Sequence, residues 1–217
     1  MRFKAVCFDL DGTLLDTLED LAFCTNKILS EQGYPTHHVN AFRYFIGDGA
    51  KMLMTRVLPE NVRNETLIEK CRKEFETLYR EYWKRRTVPY QGIPELLSAL
   101  TKLNLKMAVL SNKPQEFTLL SVNQLLCDWN FDLILGQREG VPIKPNPAGM
   151  LEICQQLKIP PDHILYLGDT ATDMKTAVAA GCFPVGVLWG FRGEQELKEG
   201  GAQVIIRKPL EALDLLN

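Results

Sequence analysis

The stretch AVCFDLDGTLLDT, residues 5–17, starts like a buried β-strand and runs into a pair of acidic residues. Its first four residues are apolar, which is typical of a strand covered on both faces of a parallel sheet. Asp9 and Asp11 follow at once, one residue apart. Two like charges this close repel each other unless a cation, a proton or a strong donor offsets the repulsion. The stretch therefore predicts either a bound group at the end of the strand or a solvated pair.

Short apolar runs recur along the rest of the chain and predict five more strands, at residues 105–110, 133–136, 164–168, 184–189 and 203–206. From residue 90 onward, helical patterns separate these runs. One has Pro94 in its first turn, and another begins with Asn146 as the cap and Pro147 at the first position. This alternation predicts an α/β fold with a Rossmann-like, mostly parallel sheet.

The segment 16–89 contains no convincing strand and carries two long amphipathic patterns, at residues 17–34 and 65–83. A crossover of this length far exceeds what a βαβ unit requires, so the segment is expected to be an inserted helical bundle. The predicted organisation is a discontinuous α/β core, residues 1–15 and 90–217, with a helical cap domain at 16–89.

Composition narrows the kinds of partner. The chain has 217 residues, a formal net charge of −2 and 46% hydrophobic residues, so nothing indicates binding to nucleic acid or an anionic membrane. No apolar run reaches membrane-spanning length, and the N-terminal one is too short for a signal peptide. We expect a cytoplasmic protein with buried, reduced cysteines and a small-molecule ligand. No pattern indicates the oligomeric state.

Several polar residues are predicted at the carboxyl edge of the sheet, where open α/β sheets bind ligands. Besides Asp9 and Asp11 they are Ser111, Asn112, Lys144, Asp169 and Asp173. Carboxylate oxygens are ligands that Mg²⁺ prefers, while a hydroxyl, an amide and an ammonium can bind phosphate oxygens. The set therefore indicates a divalent cation beside a phosphoryl group. The metal and Lys144 are expected to offset the repulsion between Asp9 and Asp11.

The order of these residues resembles the four motifs of the haloacid dehalogenase superfamily of phosphohydrolases. DLDGT is similar to its first motif, Ser111 to the second, Lys144 to the third and GDTATD, residues 168–173, to the fourth. The position of the insert, together with FIGDGAKML and PYQGIPELL, resembles the helical-cap, phosphoglycolate phosphatase-like members. The resemblance implies a Mg²⁺-dependent phosphatase that hydrolyses a small phosphorylated metabolite, such as phosphoglycolate or a sugar phosphate.

The resemblance also implies a role for each residue. Asp9 attacks phosphorus to form an aspartyl-phosphate, and Asp11 protonates the leaving oxygen and then activates water. The metal is held by Asp9, the backbone carbonyl of Asp11 and Asp169, with Asp173 orienting them. The oxygens of the transferred phosphoryl group are bound by Ser111, Asn112 and Lys144. The insert closes as a lid, and Asp48 and Lys51 are expected to influence which substrate it accepts.

Plainer interpretations stand beside these. Ser111 and Asn112 could be loop-capping residues, and the turn at residues 47–49 could be a connection between helices or a lid loop facing the core. The segment WGFRG, residues 189–193, follows a strand and could reach the site through Arg192, but a surface turn is expected.

Two other functions share the same motifs or acids. A phosphosugar mutase of the same superfamily would keep all four motifs. A non-enzymatic receiver-like module also holds an aspartyl-phosphate, but it lacks a large helical insert and the second aspartate.

Overall fold

The computed structural model describes residues 2–216, and its centre is a six-stranded parallel sheet. The strands are β1 (Ala5–Phe8), β4 (Lys106–Pro114), β5 (Leu133–Gln137), β6 (Ile164–Gly168), β7 (Phe183–Val187) and β8 (Val204–Ile206). Their order is β5-β4-β1-β6-β7-β8, with every neighbouring pair parallel. The expected α/β fold with a mostly parallel sheet is confirmed.

Helices connect the strands and cover both faces of the sheet. They are α1 (Leu18–Glu31), α2 (Phe42–Phe45), α3 (Gly49–Val57), α4 (Glu65–Tyr82), α5 (Ile93–Lys102), α6 (Gln115–Leu125), α7 (Ala148–Leu157), α8 (Ala171–Ala180) and α9 (Glu194–Gly200). Alternate residues of β1 point to opposite faces: Val6 and Phe8 pack in one apolar cluster, and Ala5 and Cys7 in another. This double covering explains the uninterrupted apolar sequence of the strands.

A separate apolar cluster lies within the segment 16–89, where α1, α3 and α4 pack together. The apolar positions of the two predicted amphipathic helices are the buried ones, such as Leu21 and Leu29 on α1 and Phe75 on α4. Where the segment leaves and rejoins the sheet, β2 (Leu15–Asp16) pairs antiparallel with β3 (Val88–Pro89). The division into a core and a cap domain at these residues stays a prediction.

Two local predictions need correction. Strand β4 was expected to end at residue 110, but it continues through Ser111 and Asn112 to Pro114, with a register shift against β5 between Leu110 and Pro114. Such an irregularity re-aims the side chains within it. Helix α7 begins at Ala148 with Pro147 as its cap residue, one position later than predicted, although the Asn146 side chain still accepts the Ala148 N–H at 2.9 Å.

Two expectations from composition can be compared with the structure. Five of the six cysteines are buried and Cys127 is exposed. Among residues 2–216, no helix combines the length and the apolar character that crossing a bilayer requires.

Candidate active site

Three carboxylates meet at the carboxyl edge of the sheet. Asp9 follows β1 and Asp169 follows β6, its neighbour in the sheet, while Asp173 lies in the first turn of α8. All three are buried, and one oxygen of each lies within 4.8 Å of the others. The sheet thus brings together acids that are 160 and more residues apart in sequence, because parallel strands end at the same edge.

Lys144 supplies the positive charge inside this cluster. Its ammonium nitrogen lies 2.6 Å from Asp173 Oδ1 and 2.8 Å from Asp9 Oδ1, and it also donates to the carbonyl of Leu110 and the hydroxyl of Tyr166, both at 3.0 Å. Burial disfavours the charged form, but Asp173 and Asp9 outweigh that effect and raise the pKa of Lys144. The lysine therefore stays an ammonium and compensates part of the buried negative charge.

Asp173 is fixed by the helix that carries it. Its Oδ2 accepts the backbone N–H of Thr170 at 3.0 Å and the Thr170 hydroxyl at 2.7 Å. The Thr170 hydroxyl oxygen in turn accepts the backbone N–H of Asp173 at 3.4 Å, which completes a capping box at the start of α8. The Oδ1 of Asp173 accepts from Lys144 and from the Tyr166 hydroxyl. Because its Oδ1 is paired with the Lys144 ammonium, the geometry suits an orienting residue better than a direct ligand.

Asp169 is held equally firmly. Its Oδ1 accepts the Thr13 hydroxyl at 3.0 Å and its Oδ2 accepts the backbone N–H of Phe191 at 2.8 Å. A Cβ atom added at Gly12 would lie 2.4 Å from this carboxylate, and one added at Gly190 would lie 2.3 Å from its Cβ. The carboxylate therefore lies in a cradle that exists because two neighbouring residues have no side chain.

The donor set fits a hard divalent cation. Asp9 Oδ1 is buried and accepts no hydrogen bond from the part of the chain that the structure describes, because Lys144 approaches it outside hydrogen-bonding geometry despite the 2.8 Å separation. Burial and the Asp173 charge raise the pKa of Asp9 to about 7, and burial with the charges of Asp173 and Asp9 raises the pKa of Asp169. A cation beside these oxygens would stabilise their ionised forms, and carboxylate oxygens are what Mg²⁺ prefers.

Asp11 has a different partner from the one the sequence indicated. The ammonium of Lys113, not that of Lys144, lies 2.9 Å from Asp11 Oδ1 and 3.1 Å from Oδ2, and it also donates to the hydroxyl of Tyr79 at 2.9 Å. Each of the two close aspartates thus has its own lysine, Asp9 with Lys144 and Asp11 with Lys113. The sequence interpretation named a metal and Lys144 as the positive charges beside this pair and omitted Lys113, so the partner of Asp11 needs correction.

Ser111 and Asn112 reach the same edge but make different contacts. The hydroxyl oxygen of Ser111 accepts the backbone N–H of Lys113 at 3.2 Å and lines the cavity beside Asp9. The side-chain amide of Asn112 donates to the backbone carbonyls of Gly47 and Lys144, each at 3.0 Å, and its Oδ1 accepts the backbone N–H of Lys144 at 2.8 Å. These contacts favour a loop-fixing role for Asn112, because its polar groups are already occupied by backbone.

A cavity of about 50 Å³ lies between this edge and the helices of segment 16–89. We call the polar side the floor, formed by Asp9, Asp11, Ser111, Asn112 and Lys113. We call the opposite side the roof, formed by Leu21, Ile46, Gly47, Gly49, Ala50, Leu53, Phe75 and Tyr79. Among the lining residues that the structure describes, the roof contributes no charged side chain. Its only side-chain polar atom is the Tyr79 hydroxyl.

The turn at residues 47–49 faces the sheet, in agreement with the lid-loop alternative. Gly47 accepts from Asn112, and Asp48 Oδ1 accepts the Thr172 hydroxyl of α8 at 2.8 Å. Asp48 also pairs with Arg56. Lys51 instead pairs with Glu65 at 2.6 Å on an exposed surface and does not line the cavity, so a direct influence on selectivity is not supported for it.

The segment that follows β7 contacts the insert beside the turn at residues 47–49. Arg192 donates to the carbonyl of Ile46 at 3.0 Å, and Arg43 of α2 donates to the carbonyl of Gly190 at 2.7 Å. The side chain of Arg192 is only 8% exposed. The expected surface turn is therefore wrong: this segment contacts the insert through Arg192 and the carboxylate of Asp169 through the backbone N–H of Phe191.

Sequence reasoning missed three residues that hold the aspartates or their lysines in place: Lys113, Tyr79 and Tyr166. Lys113 had a detectable signal, because it stands directly after Ser111 and Asn112 and two close carboxylates need two compensating charges. The two tyrosines had none, since each occupies an apolar position of its helix or strand and contributes only its hydroxyl.

The fold and the site define a class: a parallel α/β enzyme with an acid and lysine centre at the carboxyl edge of its sheet, under a helical insert. The model of the haloacid dehalogenase-like hydrolase family matches residues 6–187. The chain belongs to this family.

The chain matches known phosphatases along its whole length. It is 32% identical to the N-acetylmuramic acid 6-phosphate phosphatase of Pseudomonas aeruginosa over 218 residues, which covers 100% of this chain and 96% of that protein. It is also 32% identical to the phosphoglycolate phosphatase of Chromobacterium violaceum, covering 100% and 97%. A crystal structure of a predicted phosphoglycolate phosphatase from Haemophilus somnus superposes with a TM-score of 0.92 at 28% identity, covering 100% and 99%. The predicted enzyme of the phosphatase class is confirmed, which favours it over the signalling module.

Proposed function

We propose that the protein is a Mg²⁺-dependent phosphatase that hydrolyses a small phosphomonoester through an aspartyl-phosphate on Asp9. The observation that carries the proposal is the pair of aspartates on one cavity floor with different surroundings. Among residues 2–216, nothing donates a hydrogen bond to one oxygen of Asp9, which lies inside the carboxylate cluster, whereas Asp11, two residues after Asp9, is held by Lys113. A nucleophile and a separate proton donor need two such environments.

In the first half of the reaction, an oxygen of Asp9 attacks phosphorus and the bond from phosphorus to the alcohol oxygen breaks. Asp11 enters this step protonated, with the proton that it takes from water at the end of each cycle, and gives that proton to the departing oxygen, so the alcohol leaves neutral. The Ser111 hydroxyl lines the cavity beside Asp9 and can donate a hydrogen bond to the growing charge on the phosphoryl oxygens. Lys144, 2.8 Å from Asp9 Oδ1, adds positive charge beside the nucleophile.

In the second half, Asp11 is a carboxylate and takes a proton from water. The water oxygen attacks phosphorus, the bond from phosphorus to Asp9 breaks, and inorganic phosphate is released. The same residue therefore acts first as acid and then as base. That requires Asp11 to remain beside phosphorus throughout both steps.

The residues that would hold Mg²⁺ are Asp9, the backbone carbonyl of Asp11 and Asp169, with Asp173 and Thr13 orienting the carboxylates. When bound, the ion would screen the repulsion between an anionic nucleophile and an anionic phosphate.

The enclosure supports a small substrate. A cavity of about 50 Å³ has room for only a few water-sized groups, at roughly 10–15 Å³ each. The contacts of Gly47 and Asp48 with the sheet edge hold the roof close to the floor. Segment 16–89 is proposed to open for substrate and close over it, which leaves no space for a folded protein as the leaving group. Phosphoglycolate and short sugar phosphates are the candidates that the relatives suggest.

The experiment is release of inorganic phosphate from a panel of small phosphomonoesters, with a phosphoprotein as control. We expect turnover of small esters with Mg²⁺, loss of turnover in excess chelator, and recovery when Mg²⁺ is restored. Asp169→Ala should need more Mg²⁺ or lose activity altogether. Full turnover without a divalent cation contradicts the metal assignment, and efficient hydrolysis of a folded phosphoprotein contradicts the lid.

A further inference from the structure

Lys113 lies outside the residues that the chemistry above uses, yet it is among the most tightly bonded side chains of the floor. An ammonium has three hydrogens to donate. Here they meet three acceptors: Asp11 Oδ1 at 2.9 Å, Asp11 Oδ2 at 3.1 Å and the Tyr79 hydroxyl oxygen at 2.9 Å. The side chain is 4% exposed and that of Asp11 is 13% exposed. Every donor is used, so this lysine has one orientation and holds both oxygens of Asp11.

The backbone places Lys113 there. The residue lies in the part of β4 where the register against β5 shifts. Its N–H donates to the Ser111 hydroxyl at 3.2 Å, and its carbonyl accepts the Thr118 hydroxyl at 3.1 Å. A Cβ atom on Gly136 of β5 would lie 2.7 Å from this carbonyl, so the two strands approach closely at this point. The start of the lysine side chain is thus as firmly fixed as its end.

Tyr79 belongs to α4 in the insert and is fixed by its own neighbours. Its ring stacks on Phe75 at 5.3 Å and meets Phe117 of α6 edge-on at 5.3 Å. Burial raises the pKa of Tyr79 to about 12, so its hydroxyl is neutral and accepts from Lys113. Hydrogen bonds from Lys113 to Asp11 and from Lys113 to Tyr79 therefore connect the floor to a helix of the roof.

We infer that Lys113 is a positioning residue for Asp11 and that Tyr79 holds Lys113 in place when α4 is packed on the sheet edge. This inference rests on the proposed function, in which Asp11 must stay beside the leaving oxygen and later beside water. Lys113 does not touch the reacting atoms itself. It acts by keeping the Asp11 carboxylate at one place, and a misplacement of about 1 Å can cost roughly a hundredfold in rate.

The test compares leaving groups, because a purely structural role would not distinguish them. Alkyl phosphates need a proton on the departing oxygen, whereas an aryl phosphate with an acidic phenol does not. The quantity is kcat/KM, which covers the steps up to departure of the alcohol. We expect Lys113→Met to lower it roughly 10- to 100-fold for an alkyl phosphate and far less for the aryl phosphate. Tyr79→Phe should show the same pattern with a smaller loss of about threefold to tenfold.

A double-mutant cycle with Asp11→Asn provides the second measurement. If Lys113 acts through Asp11, removing both should cost little more than removing Asp11 alone. Lys106→Met is the matched control, because Lys106 lies on the same strand and pairs with Asp132 at the exposed, opposite end. It should show no dependence on the leaving group.

Equal losses of Lys113→Met on both substrates, or losses that multiply in the double variant, overturn the inference. If thermal unfolding shows that Lys113→Met does not fold, Tyr79→Phe decides, since it keeps the ring; a loss that is absent or equal on both substrates then overturns the inference. The proposed function fails in a different way: wild-type protein without phosphomonoesterase activity, or Asp11→Asn losses that ignore the leaving group, would remove its acid.

Discussion

The floor and the roof of the cavity are built on opposite physical principles. On the floor and in the carboxylate cluster beside it, charged groups lie in fixed positions: Lys144 meets two carboxylates, Lys113 meets both oxygens of Asp11, and Asp169 receives two hydrogen bonds. The roof offers apolar side chains, backbone and a single hydroxyl. A floor substitution should therefore abolish a step of the reaction, whereas a roof substitution should change which molecule enters it.

The strongest way to break this comparison is at Asp9. Asp9→Asn keeps the shape but replaces the nucleophilic oxygen pair with an amide, a poor nucleophile toward phosphorus. We expect less than about one per cent of wild-type turnover on every substrate, measured as phosphate release. Thermal unfolding serves as the control for the fold. A variant that retains more activity than this would show that Asp9 is not the nucleophile.

The roof can be tested with a charge. Leu53 lines the cavity and is 4% exposed, whereas its neighbour Met52 on the same helix is 40% exposed. Leu53→Arg should shift the ratio of kcat/KM for phosphoglycolate over propyl phosphate roughly tenfold, because a cation then faces the leaving group. Met52→Arg is the matched control and should leave the ratio unchanged. An unchanged ratio in Leu53→Arg, with the fold intact, would mean that the roof does not select the substrate.

The smallest expected effect is on stability in the absence of metal. Burial raises the pKa of Asp9 to about 7 in the folded chain, above its ordinary value, so the folded state holds a proton that the unfolded state has lost. The free energy of unfolding should therefore fall as pH rises from about 4 to about 7 in chelator, by on the order of 1 kcal/mol or more.

Denaturant unfolding at pH 5 and pH 7.5 measures this slope. Mg²⁺ should reduce the slope because it stabilises the ionised carboxylates, and Asp9→Asn should reduce it without metal. A metal-free protein that becomes more stable over this range would contradict the direction given for Asp9.

Much of the floor could be predicted because it depends on strand ends. An uninterrupted apolar run followed by Asp9, or one followed by Asp169, locates each acid at the edge of a parallel sheet, and the sheet itself brings them together. The position of Lys113 directly after Ser111 and Asn112 was a signal, but its pairing with Asp11 was missed because it depends on the register shift that aims Lys113 at the floor. The sequence pattern therefore led only to Lys144 and a metal as the positive charges beside the two aspartates.

The roof was predictable as helices but not as a surface. The apolar stripe of α4 was correct, yet nothing in the stripe distinguishes Phe75 and Tyr79, which face the cavity, from Ile68, which packs inside the helical cluster. The position of Arg192 was missed for a similar reason. Its contact with Ile46 joins residues 146 positions apart, and no local pattern encodes it.

The capping box of α8 has a consequence for mutational scans of this enzyme. Asp173 bonds the backbone that begins the helix and, through its other oxygen, the ammonium of Lys144. Replacing Asp173 removes a helix cap, which typically contributes about 1 kcal/mol to stability. The same change leaves the buried Lys144 ammonium with one counter-charge fewer. A score for Asp173 thus mixes folding and chemistry. Thr170→Ala can separate them, because that change weakens the cap and leaves the carboxylate beside Lys144.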